Sequence, residues 1–299
     1  MVARMRGTAA GKFVWSLLLV ASLSGGVPGA GAAWEPAAIS GLSGLTIRVE
    51  GEGWGSAERD EIEALLYAVA DELTGGSAAG PVDPIVVTHA SGSPVTLFDK
   101  GREGEYRVSL SARDRGWAQY AYQFGHELCH ILSNYEMRAH DPGRRKTQWF
   151  EEALCETAGL YVLRSMAQHW RTDAPYPGWD VYAPSLAAYA EHLVAEPHRQ
   201  LPPGMSVAGW LESKLPGLSA DPYRRSDNEV VANLLLPRFE QEPGNWVLLR
   251  YLNLAPSAPG SLAGYLAQWR DSAPADRRGF ISTLAGTLGL RPPATVAGL

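Results

Sequence analysis

The sequence predicts an α+β fold, with a small N-terminal lobe of mixed strand and helix (residues 34–135) followed by a mostly helical lobe (136–299). Three observations carry this. Short runs of alternating or β-branched residues recur in the first half. From about Trp117 onward, apolar residues fall at helical spacing almost without a break. Pro or Gly marks most of the boundaries between segments. A cleft between two such lobes is a natural binding site.

Residues 1–33 are set apart from the fold as a leader. Arg4, Arg6 and Lys12 precede an apolar stretch, Phe13 to Leu23, and small residues follow up to Ala33. This is the pattern of a cleaved export signal, which would leave Trp34 as the new N-terminus in a secreted or periplasmic protein. The apolar run is shorter than the roughly 20 residues that span a bilayer, and no later stretch is long enough to replace it. Strands are expected at Leu45–Val49, Ile85–Thr88, Val95–Phe98 and Tyr106–Leu110. A helix is expected over 57–73 with Ser56 as its cap. The later helices fall at 116–135, 147–169, 185–195, 206–214, 227–240, 244–252, 260–270 and 276–287. Trp246 and Trp269 read as core of the last of these.

The chain of 299 residues is 45% hydrophobic and 19% charged, an ordinary globular balance. Its net charge of -6 is spread thinly, with no basic run to suggest nucleic acid. Nothing in the sequence sets the oligomeric state.

The chemistry concentrates at His126-Glu127-Leu128-Cys129-His130. Two His residues four apart differ by about 40° around a helix, so both imidazoles leave one face and can chelate one zinc ion. Glu127 sits about 100° away from His126. There it can take a proton from a zinc-activated water without being a ligand. Tyr120, Phe124, Leu128, Ile131 and Leu132 make this a core helix, where buried imidazoles need partners.

A catalytic zinc site needs a third protein ligand. Residues 149–156 read Trp-Phe-Glu-Glu-Ala-Leu-Cys-Glu. With the His pair, this segment resembles the gluzincin zinc metallopeptidases, the thermolysin-like and aminopeptidase-N-like group. The resemblance covers mainly residues 117–165 and implies a zincin-like catalytic domain holding one zinc ion. It implies Glu152 as the third ligand, 21 residues beyond His130, and Glu156 as support behind a zinc-binding His. Glu151 competes with Glu152 for the ligand position, and Glu136 and His140 are more remote candidates. The resemblance also implies that Tyr106 to Ser111 is the edge strand aligning an extended peptide substrate. The glycine-rich exopeptidase motif of the aminopeptidase relatives is absent, which argues against aminopeptidase activity. Cys129 and Cys155 each lie three residues after a proposed ligand, and are read as a disulfide between two adjacent helices, two buried thiols or, as the remoter alternative, thiolate ligands.

Peptide hydrolysis also needs a donor for the developing oxyanion. Tyr223, in Asp221-Pro222-Tyr223-Arg224-Arg225, is the candidate, while Arg224 and Arg225 would bind a substrate carboxylate or stay solvated. His169, His192 and His198 have no partner pattern and read as non-ligands. The expected function is an exported zinc peptidase acting on a peptide or protein. Its rivals are a zinc hydrolase of a non-peptide amide or ester and a non-catalytic binding protein on the same scaffold.

Overall fold

Strand β1 (Ile47–Glu50) alternates buried and exposed residues, so one face packs inward. Helix α1 (Arg59–Thr74) follows. Its start is set by Glu58, whose N–H donates to Glu61 at 3.2 Å, and not by Ser56. Gly75 ends it in the left-handed conformation that favours glycine. Strands β2 (Ile85–His89), β3 (Val95–Thr96) and β4 (Tyr106–Leu110) complete, among the described residues, a sheet of order β1-β2-β4-β3. β1 and β4 both pair parallel to β2, and β3 pairs antiparallel to β4. The computed structural model describes residues 41–76, 82–257 and 259–290. The predicted leader lies outside them.

One edge of the sheet is closed by side chains of α1. Tyr67 accepts from the N–H of Ile47 at 3.0 Å, and Glu63 accepts from that of Val49 at 2.7 Å. Backbone groups that would otherwise invite a further strand are thereby satisfied. The other edge is β3. The expectation that Tyr106–Ser111 would be the edge strand is therefore corrected: β4 is internal, paired on both sides. Val95–Thr96 borders the open side, too short a strand to show its periodicity.

The helical part comprises α2 (Trp117–Leu132), α3 (Arg145–His169), α4 (Ala183–Ala195), α5 (Val207–Ala220), α6 (Arg225–Gln241), α7 (Leu262–Ser272) and α8 (Arg278–Thr287). The expected helix at 244–252 is a 3-10 helix, Pro243–Tyr251. α3 is buried on most of its circumference, as befits a central helix. α2, α4, α5 and α6 pack around it. Trp246 and Trp269 are core residues, 2% and 1% exposed.

The α2–α3 contact positions everything that follows. The two helices run antiparallel, since Tyr122 meets Gly159 while His130 meets Glu151. They touch at two glycines: a Cβ added to Gly159 would lie 2.9 Å from the carbonyl oxygen of Tyr122, and one on Gly125 3.3 Å from the Gly159 Cα. Only hydrogen at these positions lets the backbones approach so closely. No helix among the described residues is long and apolar enough to cross a membrane.

Candidate metal centre

Directly after Gly125, α2 presents His126 and, one turn on, His130 toward α3, which presents Glu152. His126 Nε2 and His130 Nε2 are 3.3 Å apart, and each lies 3.6 Å from Glu152 Oε2. Zinc bonds of about 2.0–2.1 Å at a tetrahedral angle put neighbouring ligand atoms about 3.4 Å apart. The three side chains could therefore hold a metal ion as they stand. Glu136 and His140 are not part of the cluster. Glu136 instead accepts from Tyr106 and faces Lys100.

Charge is poorly balanced in the bare cluster. Burial opposes ionisation of Glu152, yet the charge of His130 and the hydrogen bond from His126 overcome it and hold this carboxyl far below its usual range. Burial likewise opposes protonation of both imidazoles. The surrounding carboxylates together outweigh it, Glu152 with Glu156 and Glu127 raising His126, and Glu152 with Glu151 raising His130 well above the ordinary value. A divalent cation would replace protons shared among these three groups.

The ring of His130 is fixed from behind. Its Nδ1 lies 2.9 Å from Glu151 Oε1, so the imidazole carries its hydrogen on Nδ1 and turns the Nε2 lone pair toward the cluster. Glu151 Oε2 accepts from Asn253 at 2.9 Å, and Asn253 Oδ1 accepts from Tyr265 at 2.7 Å. Glu151 thus stands behind His130 and is not part of the cluster. Glu156 faces the other imidazole, its Oε1 3.7 Å from His126 Nδ1, and accepts from Tyr122.

Behind Glu156 lies a second buried cluster. Arg225 reaches Glu156 at 3.4 Å and Glu229 at 2.7 Å, and Arg199 reaches Glu229 at 2.6 Å. Burial opposes the charge on Glu156, but Arg225, His126 and Arg199 together keep it ionised. The expectation that Arg225 is solvated or binds substrate is therefore corrected, and Arg224 pairs with Asp227. His169 and His198 bond to Glu72 and Glu229, away from the metal cluster.

Glu127 is 4% exposed, and its Oε2 accepts from Thr96 Oγ at 2.8 Å. Strand β3 is tied in this way to the helix that carries the His pair. A cleft of about 190 Å³ opens here, lined by His126, Glu127, His130, Glu152, Thr96 and Tyr223 among others. Tyr223 is half exposed on the far wall, with its oxygen accepting from Gln148 at 2.9 Å. The structure thus brings His126, Glu127, His130, Glu152 and Tyr223 to one cleft. Cys129 and Cys155 are fully buried free thiols, hydrogen-bonded to each other. Burial pushes the Cys155 thiol well up, which makes it a poor nucleophile.

Thr96, Gln148 and Asn253 had no signal in the sequence. Each acts through a contact with a segment well separated along the chain or through a partner that only the fold supplies. No family model, curated protein or solved structure matches the chain.

Proposed function

We propose that this chain is an exported zinc-dependent hydrolase with a zincin-like catalytic domain, and that it cleaves peptide bonds. One observation carries the proposal: three donor atoms at metal-ligand spacing share a cleft with a carboxylate that is not among them. Donors of two imidazoles and one carboxylate, with a position left for substrate, are the set used by catalytic zinc.

Zinc in that position supplies Lewis-acid polarisation and water acidified toward neutral pH. The chain's own residues do the remaining work. Glu127, held by Thr96, takes the proton of the attacking water and passes it to the departing amine. Tyr223 donates its O–H to the oxygen that gains charge. Glu151 holds His130 in the tautomer that leaves Nε2 free.

The test is metal content and turnover together. Wild type should hold about one zinc per chain, Glu152→Ala should lose most of it, and Glu127→Gln should keep it. A peptide library should be cut by wild type and spared by Glu127→Gln, with a loss of about a hundredfold or more. A chain that takes up no zinc even after reconstitution would remove the proposal. Zinc uptake without cleavage of any peptide would leave a metal site on another substrate.

A further inference from the structure

Arg144 stands at the start of α3, Gln148 one turn on and Glu152 a further turn on, so the three share one stripe of the helix. The Arg144 guanidinium lies over the Phe98 ring, 4.3 Å from its centre, and its Nε donates to Gln148 Oε1 at 3.1 Å. Gln148, 7% exposed, donates through Nε2 to the Tyr223 oxygen at 2.9 Å.

The order of donors in this chain has a single solution. A guanidinium only donates. Arg144 therefore fixes the Gln148 amide with its oxygen toward the guanidinium and its NH2 toward Tyr223, because the flipped amide would set donor against donor. Tyr223 must accept from Gln148, so its own hydrogen is left over. Among the described residues nothing accepts that hydrogen. The other phenol lining the cleft, Tyr135, spends its hydrogen on the Leu97 carbonyl.

We infer that Arg144 and Gln148 are positioning residues whose purpose is to keep the Tyr223 O–H directed into the cleft as a hydrogen-bond donor to the tetrahedral oxyanion of the substrate. This rests on the metal-hydrolase proposal. The relay acts through hydrogen-bond polarity, so an isosteric change can reverse it. In Gln148→Glu the new carboxylate is neutralised by Arg144 and accepts the Tyr223 hydrogen, which turns the phenol away from the substrate.

The experiment compares two probes on the zinc-loaded protein by equilibrium binding. One is a phosphinic peptide, whose tetrahedral oxygens occupy the oxyanion position. The other is a mercaptoalkyl peptide with no oxygen there. Tyr223→Phe and Gln148→Glu should each weaken the phosphinic peptide about tenfold or more and leave the mercaptan unchanged. The double variant should be no worse than either single one, since both remove the same hydrogen bond. Full affinity in Gln148→Glu would overturn the inference. So would full additivity with Tyr223→Phe, which would mean that the new charge simply repels the phosphinate. Equal loss of both probes together with zinc would show a purely structural role for Gln148, and also overturn it. If wild type binds neither probe, the metal-hydrolase proposal falls and takes this inference with it. If it binds the mercaptan but shows no Tyr223 dependence for the phosphinate, only the relay falls.

Discussion

Two buried polar clusters lie along the same α2–α3 seam, and they differ in how their charge is closed. Around Glu156, three carboxylates (Glu156, Glu196 and Glu229) meet two guanidiniums (Arg199 and Arg225), so each carboxylate has a guanidinium partner within the protein. Around Glu152, three carboxylates (Glu127, Glu151 and Glu152) meet only two imidazoles, which are neutral in their ordinary state. The first cluster is complete. The second lacks positive charge that only protons or a cation can bring. Buried carboxylates without compensation are costly, so the deficit marks the second cluster as the one made to receive something.

Breaking the complete cluster should have the larger effect on folding. Arg199 is 2% exposed and bonds Glu196, Glu229 and Tyr122. Arg199→Met removes one of the two guanidiniums and leaves Glu156 and Glu229 to share Arg225, with His198 still on Glu229, which should cost about 3 kcal/mol in urea unfolding. Glu152→Gln removes charge from the deficient cluster, and in metal-free protein it should cost less than Arg199→Met. Equal losses for the two variants would erase the distinction.

Metal removal tests the deficient cluster from the other side. With free zinc at a thousand times its dissociation constant, the folded state gains about 4 kcal/mol. A chelator should lower the unfolding free energy of wild type by that amount and leave that of Glu152→Gln unmoved. Loss of the same stability in both would place the ion somewhere else.

The two clusters were unequally legible. His126, Glu127 and His130 stand in one local helical pattern, whereas Glu152 was legible only through the resemblance carried by Trp149 to Glu156. The complete cluster draws Arg199 from a 3-10 turn and Glu229 from α6, so only the folded chain brings them to Tyr122 and Glu156. Arg225 shows the consequence: beside Arg224 and after a Pro turn it resembles surface charge, and nothing nearby announces its buried partners. Glu151 and Glu152 were told apart by the resemblance and not by the helix, because adjacent positions on one helix differ only in which imidazole nitrogen they meet. A strand at Val95–Phe98 was legible, but its edge position was not, because sheet order depends on the fold and the strand itself shortens to Val95–Thr96. The more regular Tyr106–Leu110 took its place. The cap of α1 was misplaced by two residues for a similar reason. Ser56 has the stronger general preference, but Glu58 has Glu61 three residues on to complete the reciprocal pair.

The smallest effect is also the one that separates the clusters by sign. Glu156 is depressed in the folded protein, so its contribution is present above the ordinary carboxylate value and lost as pH falls through the folded one. His126 and His130 are raised, so in metal-free protein their contribution is fully present below about 6.5 and lost as pH rises through their folded values. Between pH 6 and 9 Glu152 and Glu156, both depressed, stay ionised, and the raised His pair contributes a falling slope. Metal-free protein should therefore lose stability on going up through this interval, and Glu152→Gln, which removes the principal cause of the raised His values, should lose less. Zinc needs the imidazoles neutral, so its binding strengthens as pH rises, and the zinc-loaded protein should gain stability over the same interval. Urea midpoints measured in chelator and in excess zinc at several pH values decide this. Opposite slopes mean that protons and the cation compete for one set of atoms. Parallel slopes mean that the missing charge is supplied by neither, and the comparison between the clusters loses its physical basis.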